Sequence, residues 1–498
     1  MAFTQEQEAK LVELLAAFEN GKRINELAPA EGELSAMRIE VMDGSGESRS
    51  MELERAVAEA GNPIAGRWWD NTKSTPTAGG WFGSLDALRK LPETLGLGRY
   101  LVTDDHKRRK LDPQNSHRFA DGSPAALDGS MGQCMWGWSR PWYFTEIVTA
   151  ARTYWAITLK PLEGYKSVRI PVGSTSWVGA GVMDRTEQKL CSVISDDERY
   201  RGGNGKARPD TDKNHPAAGT PQASMLGMAA TSISTTTFGN NARKRGEGWE
   251  ANWFVAQAAV QILFAVIMGT KDSQAPYNPE KDADGLYQGG FGAGVTSMNY
   301  DKWLNYNGVC PLVPTSVGVE LGDSNGLVEY AVPGSENAED PETPLITFQV
   351  PCFFGLMHAG YGHLWRWTRG VIMDAGEESS PVYIAPSMYA DYNPETVEDK
   401  IHVADAARAD GYIKRLSTVG LCMIPTEVGG SASTYFPDYF YTNWQTSKGL
   451  RVRAAGGSAN YGANAGAFYV NAIYAASNAH AYYSSPLCEF EDDPTITA

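Results

Sequence analysis

The stretch Gly449–Phe468, GLRVRAAGGSANYGANAGAF, and its continuation Tyr469–Cys488, YVNAIYAASNAHAYYSSPLC, carry the most information in this chain. From Ala454 to Cys488 there is no Asp, Glu, Lys or Arg, where the chain-wide charged fraction of 20% would supply about seven. Residues 456–485 are nine Ala, five Tyr, four Asn, four Ser and four Gly, with Phe468, Val470, Ile473 and His480 besides. An Ala-rich helix is opposed by Gly456, Gly457, Gly462 and Gly466, because each interior Gly costs a helix about 1 kcal/mol against Ala. A membrane span is opposed by the Asn, Ser and His residues. A disordered tail is opposed by five Tyr together with Phe468, Val470 and Ile473, which supply more apolar surface than such tails carry. The remaining reading is a recognition surface: Tyr offers broad amphipathic contact at low entropic cost, and Ser and Asn offer adaptable hydrogen bonds.

Outward from this segment, Ala251–Gly269 (ANWFVAQAAVQILFAVIMG) runs 19 residues without a charge. Asn252, Gln257 and Gln261 interrupt its apolarity, and it reads as a buried core helix and not as a membrane insertion. Val168–Gly173 reads as a strand, and the Gly/Pro-punctuated stretch 198–223 as a long surface loop. Residues 61–162 are aromatic and turn-rich, with Trp68, Trp69, Trp81, Trp136, Trp138, Trp142 and Trp155 and helical signal near Leu85–Leu91 and Thr145–Tyr154. Tryptophan at this density serves either as core anchors or as platforms for sugar rings. At the front, Thr4 and Gln7 form a capping-box pattern ahead of Leu11, Leu14, Leu15 and Phe18, a short amphipathic helix that needs a partner. The alternating stretches Arg38–Met42 and Ser48–Leu53 flank Asp43–Gly46 and predict a β-hairpin.

With 498 residues there is material for two to four domains, and a net charge of −16 without a dense basic tract excludes the electrostatic footprint of nucleic-acid binding. The start of the chain shows no secretory signal, which implies synthesis in a cytoplasm. Six cysteines without C-x-x-C spacing read as buried free thiols. Gln288–Gly294 (QGGFGAG) lacks the Lys-Ser/Thr of a phosphate loop, and His358 and His363 stand five apart without the spacing of a zinc-protease helix. No serine sits in a nucleophile elbow, and Glu339–Asp340 and Glu377–Glu378 read as solvated charge. We therefore expect no catalytic residue, no metal and no cofactor.

The run Gly449–Phe468, continuing through Asn471, Asn478 and His480, resembles the variable region of proteins diversified by diversity-generating retroelements. In that family, adenine-directed mutagenesis of Asn codons varies residues displayed by a C-type-lectin-type fold related to the formylglycine-generating-enzyme fold. Ala242–Trp253, followed by the uncharged helix and Gly269-Thr270, is similar to the helix-bearing part of that fold, and Gly362–Trp367 to its Trp-rich strand. The front sixty residues resemble docking modules of phage tail fibres. The chain departs from the family where Ala454-Ala455 stand in place of Arg before the Gly-Gly pair, and it shows no paired catalytic cysteines of a formylglycine-generating enzyme.

The resemblance implies an α+β chain in three parts: an N-terminal docking and trimerisation module over 1–60, an aromatic-rich β region over 61–164, and a C-type-lectin-type ligand-binding domain over 165–498 with a variable region at about 449–488. The implied ligand-binding residues are Ser458, Asn460, Tyr461, Asn464, Tyr469, Asn471, Ile473, Tyr474, Asn478, His480, Tyr482, Tyr483 and Ser484. Gly456, Gly457, Ala465, Gly466, Ala467 and Phe468 are the implied scaffold. The implied protein is a homotrimeric phage tail fibre component, part of a virion assembled in the host cytoplasm. Its partners are a bacterial surface receptor, protein or glycan, and other tail proteins. Two alternatives stand beside this reading: a tail-associated polysaccharide-degrading enzyme, and a cellular surface-displayed variable lectin-type protein.

Overall fold

The uncharged run forms helix Phe254–Met268, and all of its side chains are buried. A helix that is apolar on every side has no solvent face and must be enclosed by the rest of the chain. Gly269 closes it in the left-handed conformation at φ 67°. Its last carbonyls, which lack intrahelical donors, are met by a buried arginine from far away in sequence: Arg67 Nε donates to Val266 O at 3.1 Å. The computed structural model describes residues 38–42, 48–52, 61–205, 225–298, 311–332 and 346–495. No helix among them is long and apolar enough to cross a membrane.

Around this helix the fold is α+β and β-rich, built on three large sheets. The five-stranded sheet runs in the order Ser167–Ile170, Trp142–Val148, Arg152–Thr158, Ala65–Asp70, Gly80–Gly83. The expected helical signal at Thr145–Tyr154 is thus corrected to an antiparallel hairpin, with Thr145 opposite Ala156 and Thr153 opposite Val148. Its aromatic and β-branched residues suit a pleated surface, and the turn is fastened where Thr149 Oγ1 accepts the Arg152 N–H at 2.9 Å. The other expected helical site is present as two short helices, Leu85–Arg89 and Leu91–Leu95.

The seven-stranded sheet runs Trp249–Ala251, Leu487–Phe490, Gly173–Ser176, Gln133–Trp138, Gly98–Val102, Arg108–Asp112, Asn115–Phe119. It draws strands from both sides of the expected boundary at 164/165, and one apolar core extends from Ala65 to Phe490. Residues 61–164 share two sheets and a core with the part of the chain beyond position 165. Trp69, Trp136, Trp138, Trp142 and Trp155 lie inside that core, in edge-on and tilted contacts such as Trp138 with Trp142 at 5.9 Å. Buried charge is paired here: Glu489 meets Arg108 at 2.8 Å and His106 at 2.8 Å, and Glu250 meets Arg369 at 3.0 Å.

The nine-stranded sheet runs Ile401–Asp405, Pro381–Ile384, Trp365–Ala375, Gly449–Ala455, Val470–Tyr474, Phe436–Tyr441, Gly411–Ser417, Ile424–Val428, with Tyr483–Ser484 parallel to the start of Trp365–Ala375. The N-terminal hairpin is present as Arg38–Met42 against Ser48–Glu52. The expected helix at 4–21, Cys310 and residues 206–223 of the expected loop lie outside the described residues. Cys134, Cys191, Cys352, Cys422 and Cys488 are buried free thiols.

Candidate recognition face

Strand Gly449–Ala455 sits between Trp365–Ala375 and Val470–Tyr474, with Ala454 opposite both Trp367 and Asn471. Two left-handed glycines, Gly456 at φ 91° and Gly457 at φ 79°, then turn the chain off the sheet. The adjoining loop is held by the scaffold at several points. Gln274 Nε2 donates to Gly462 O at 2.9 Å and to Ala465 O at 2.5 Å, and Gln261 Nε2, from the buried helix, donates to Ala467 O at 2.7 Å. Ser273 Oγ accepts the Ala467 N–H at 3.0 Å, and Asp438 Oδ2 accepts the Phe468 N–H at 2.6 Å. The Phe468 ring packs on Phe436 at 5.2 Å and on Trp155 at 6.2 Å. The residues expected to be scaffold, Gly456, Gly457, Ala465, Gly466, Ala467 and Phe468, are all buried.

Above them lies a continuous aromatic layer. Trp365 and Trp367 are fully buried, and Tyr483 stacks on both, at 5.7 and 4.2 Å. Tyr469 and Tyr461 meet Trp365 edge-on at 4.6 and 5.0 Å. Tyr474 meets Trp367 at 5.9 Å, and His480 lies between Tyr474 at 4.5 Å and Tyr482 at 5.3 Å. The layer thus has a buried floor and a half-buried outer face.

Of the residues expected to bind ligand, Ser458, Tyr469, Asn471, Tyr483 and Ser484 belong to the floor, each at most 2% exposed. Their polar atoms are engaged inside: Ser458 Oγ donates to Asn460 Oδ1 at 3.0 Å, Asn471 Nδ2 to the Tyr483 hydroxyl at 3.3 Å, and Ser484 Oγ accepts the Gly181 N–H at 3.0 Å. The split follows packing on Trp365 and Trp367: Tyr469 and Tyr483 lie against these rings, and Tyr483–Ser484 pairs with Trp365–Arg366. Asn460, Tyr461, Asn464, Ile473, Tyr474, Asn478, His480 and Tyr482 are half-buried and form the outer face.

Three further tyrosines extend this face, and sequence reasoning missed them: Tyr412, Tyr439 and Tyr441, all half-buried. The Tyr412 hydroxyl donates to Asn464 Oδ1 at 2.7 Å, and its ring meets Tyr439 at 5.3 Å. The signal was the alternation Tyr439-Phe440-Tyr441, in which Phe440 alone is buried. Burial pushes the phenols of Tyr412, Tyr439, Tyr469 and Tyr483 above their ordinary value and the His480 imidazole below its own. The layer is therefore uncharged near neutral pH, rich in hydroxyl donors and acceptors.

The other candidates resolve structurally. His363 Nε2 accepts the N–H groups of Leu312 and Val313 at 3.1 and 3.2 Å, its ring stacks on His358 at 4.6 Å, and burial pushes that imidazole down to about 3. No cluster of three or more metal-ligating side chains occurs among the described residues. Gln288–Gly294 is a loop tied to the backbone after the core helix, with the Phe291 N–H on Ser273 O at 2.8 Å. Glu377 and Glu378 are exposed. No protein-family model matches this chain, and no curated protein does either.

Proposed function

We propose that this chain is a receptor-binding protein of a phage tail, with a C-type-lectin-type fold whose variable segment 449–488 recognises a bacterial surface ligand without catalysis. The observation that carries the reading is the two-tier aromatic layer, a packed Trp365/Trp367/Tyr483 floor beneath half-buried Tyr461, Tyr474, His480 and Tyr482. A rigid floor lets the outer residues change without unfolding the sheet, which is what a diversified surface requires. Rigid tyrosines lose little entropy on binding, and Asn460, Asn464 and Asn478 add adaptable hydrogen bonds. Single faces of this kind gain avidity when several copies engage one cell, consistent with a homotrimer joined to other tail proteins through its N-terminal module.

Of the seven tryptophans on which a sugar-degrading alternative would rest, Trp68, Trp69, Trp136, Trp138, Trp142 and Trp155 are buried, and Trp81 is half-buried. The test is binding of the purified chain to cells of the host bacterium. Replacing Tyr461, Tyr474 and Tyr482 together by Ala abolishes binding while the unfolding midpoint stays within a few degrees. Unchanged binding by the folded triple variant overturns the proposal.

A further inference from the structure

Directly beneath the start of the loop, Arg366 is 3% exposed. It lies against the backbone of Gly456, so closely that a Cβ there would touch Nη1. A buried guanidinium needs either a carboxylate or a full set of acceptors. Three other buried arginines have them: Arg369 pairs with Glu250, Arg245 with Asp104, and Arg99 donates to Gly355 O, Val319 O, Gly318 O and Ser116 Oγ, whereas Arg453 donates only through Nη1, to Cys422 O and Met423 O, and lines no such cavity. For Arg366 the structure offers one long bond, from Nη1 to Leu364 O at 3.5 Å, and Nη2 has no partner among the described residues.

Arg366 lines a small cavity with room for about one water-sized body, beside Gln257, Ser176, Asn252 and Val260. Gln257 Nε2, from the fully buried helix, is likewise without a hydrogen-bond partner among the described residues. The nearby imidazoles of His358 and His363 are held neutral by burial and supply no negative charge. The two unpartnered lining atoms, Arg366 Nη2 and Gln257 Nε2, are both N–H donors, and one of them carries a positive charge. A water molecule meets the donors but leaves the charge uncompensated in a low-dielectric interior. A monatomic anion meets both, and the cavity is too small for sulfate or phosphate.

We propose that this cavity is a chloride site, with the ion held between Arg366 Nη2 and Gln257 Nε2, bracing the floor under Gly456. The site stands apart from the receptor-binding reading and does not depend on it.

Crystals grown with bromide in place of chloride test it, and the expected result is an anomalous peak in the cavity within hydrogen-bonding reach of Arg366. In solution, replacing gluconate by chloride at constant ionic strength raises the melting temperature of the wild type by about 2–5 °C. Gln257→Glu places a tethered carboxylate where the ion sits, so this variant folds, shows no cavity peak and loses the chloride response. Arg366→Met also removes the peak; if it does not fold, Gln257→Glu alone carries the comparison. A cavity with water and no anomalous signal overturns the proposal, as does a chloride response of the same size in Gln257→Glu and wild type.

Discussion

The Tyr483 ring lies on the Trp367 ring with centroids 4.2 Å apart and planes 28° from parallel, both of them sealed from solvent. This contact belongs to the buried floor, beneath the half-buried outer face. Tyr482, one residue earlier, is half-buried. We expect Tyr483→Ala to cost about 3–5 kcal/mol, the usual range for deleting a buried aromatic ring, and Tyr482→Ala about 1 kcal/mol. Urea unfolding of the two variants checks this, and equal losses would mean that the floor and the outer face are not distinct.

Gly466 marks a second limit. A Cβ at this position would collide with the Asp438 carboxyl group, which already accepts the Phe468 N–H. Overpacking at so tight a point costs at least about 2 kcal/mol, so Gly466→Ala should lower stability and cell binding together. Ala463, exposed in the same loop, should accept Ser within about 0.5 kcal/mol. The two unfolding curves decide the matter.

Asp438 has its own pH signature. Burial holds its carboxyl well above the ordinary value of 3.8, so the folded chain binds this proton more tightly than the unfolded chain does. Its contribution is favourable below the unfolded value and is lost as pH rises through the folded one. Asp438→Asn keeps an oxygen for the Phe468 N–H and removes that loss. The stability of the variant relative to wild type should therefore rise with pH from about 4 upward until the folded value is passed. A flat difference across that window would place the proton elsewhere.

His480 titrates in the opposite sense. Burial among Tyr474, Tyr482 and Tyr483 pushes its imidazole below the ordinary 6.5. The stability it supplies when neutral is complete above the unfolded value and is lost as pH falls through the folded one. Imidazole NMR should give a midpoint below 6.5 for His480, returning toward it when Tyr474 is replaced by Ala. A midpoint at or above the ordinary value would show the ring to be solvated.

Local signals in the sequence were reliable where one element determines its own burial. The uncharged run 254–268 has no polar face to expose, and Gly456-Gly457 needs a turn that few other residues make, so the core helix and the base of the loop were legible. The hairpin over Trp142–Thr158 was not, because Thr145–Tyr154 shows helical signal until Ala65–Asp70 and Ser167–Ile170 supply strands on either side. The division of residues 456–485 into floor and face was hidden for a related reason. It depends on Trp365 and Trp367, about a hundred positions upstream, and on parallel pairing of Tyr483–Ser484 with Trp365–Arg366. Tyr412, Tyr439 and Tyr441 escaped notice because they lie outside the segment of unusual composition and reach the face only through strand order.

Strand Leu487–Phe490 lies inside the seven-stranded sheet, between Trp249–Ala251 and Gly173–Ser176, and its Glu489 bonds Ser174 across 315 positions of chain. Contacts between residues so far apart form slowly, because a long loop must close before they return any energy. Residues 456–485 lie just upstream of that closing strand. A substitution at 456–485 that keeps this segment from settling on the Trp365–Trp367 floor therefore also delays the strand that joins Trp249–Ala251 to Gly173–Ser176, so the packing of the aromatic layer and the closing of the sheet are coupled in folding.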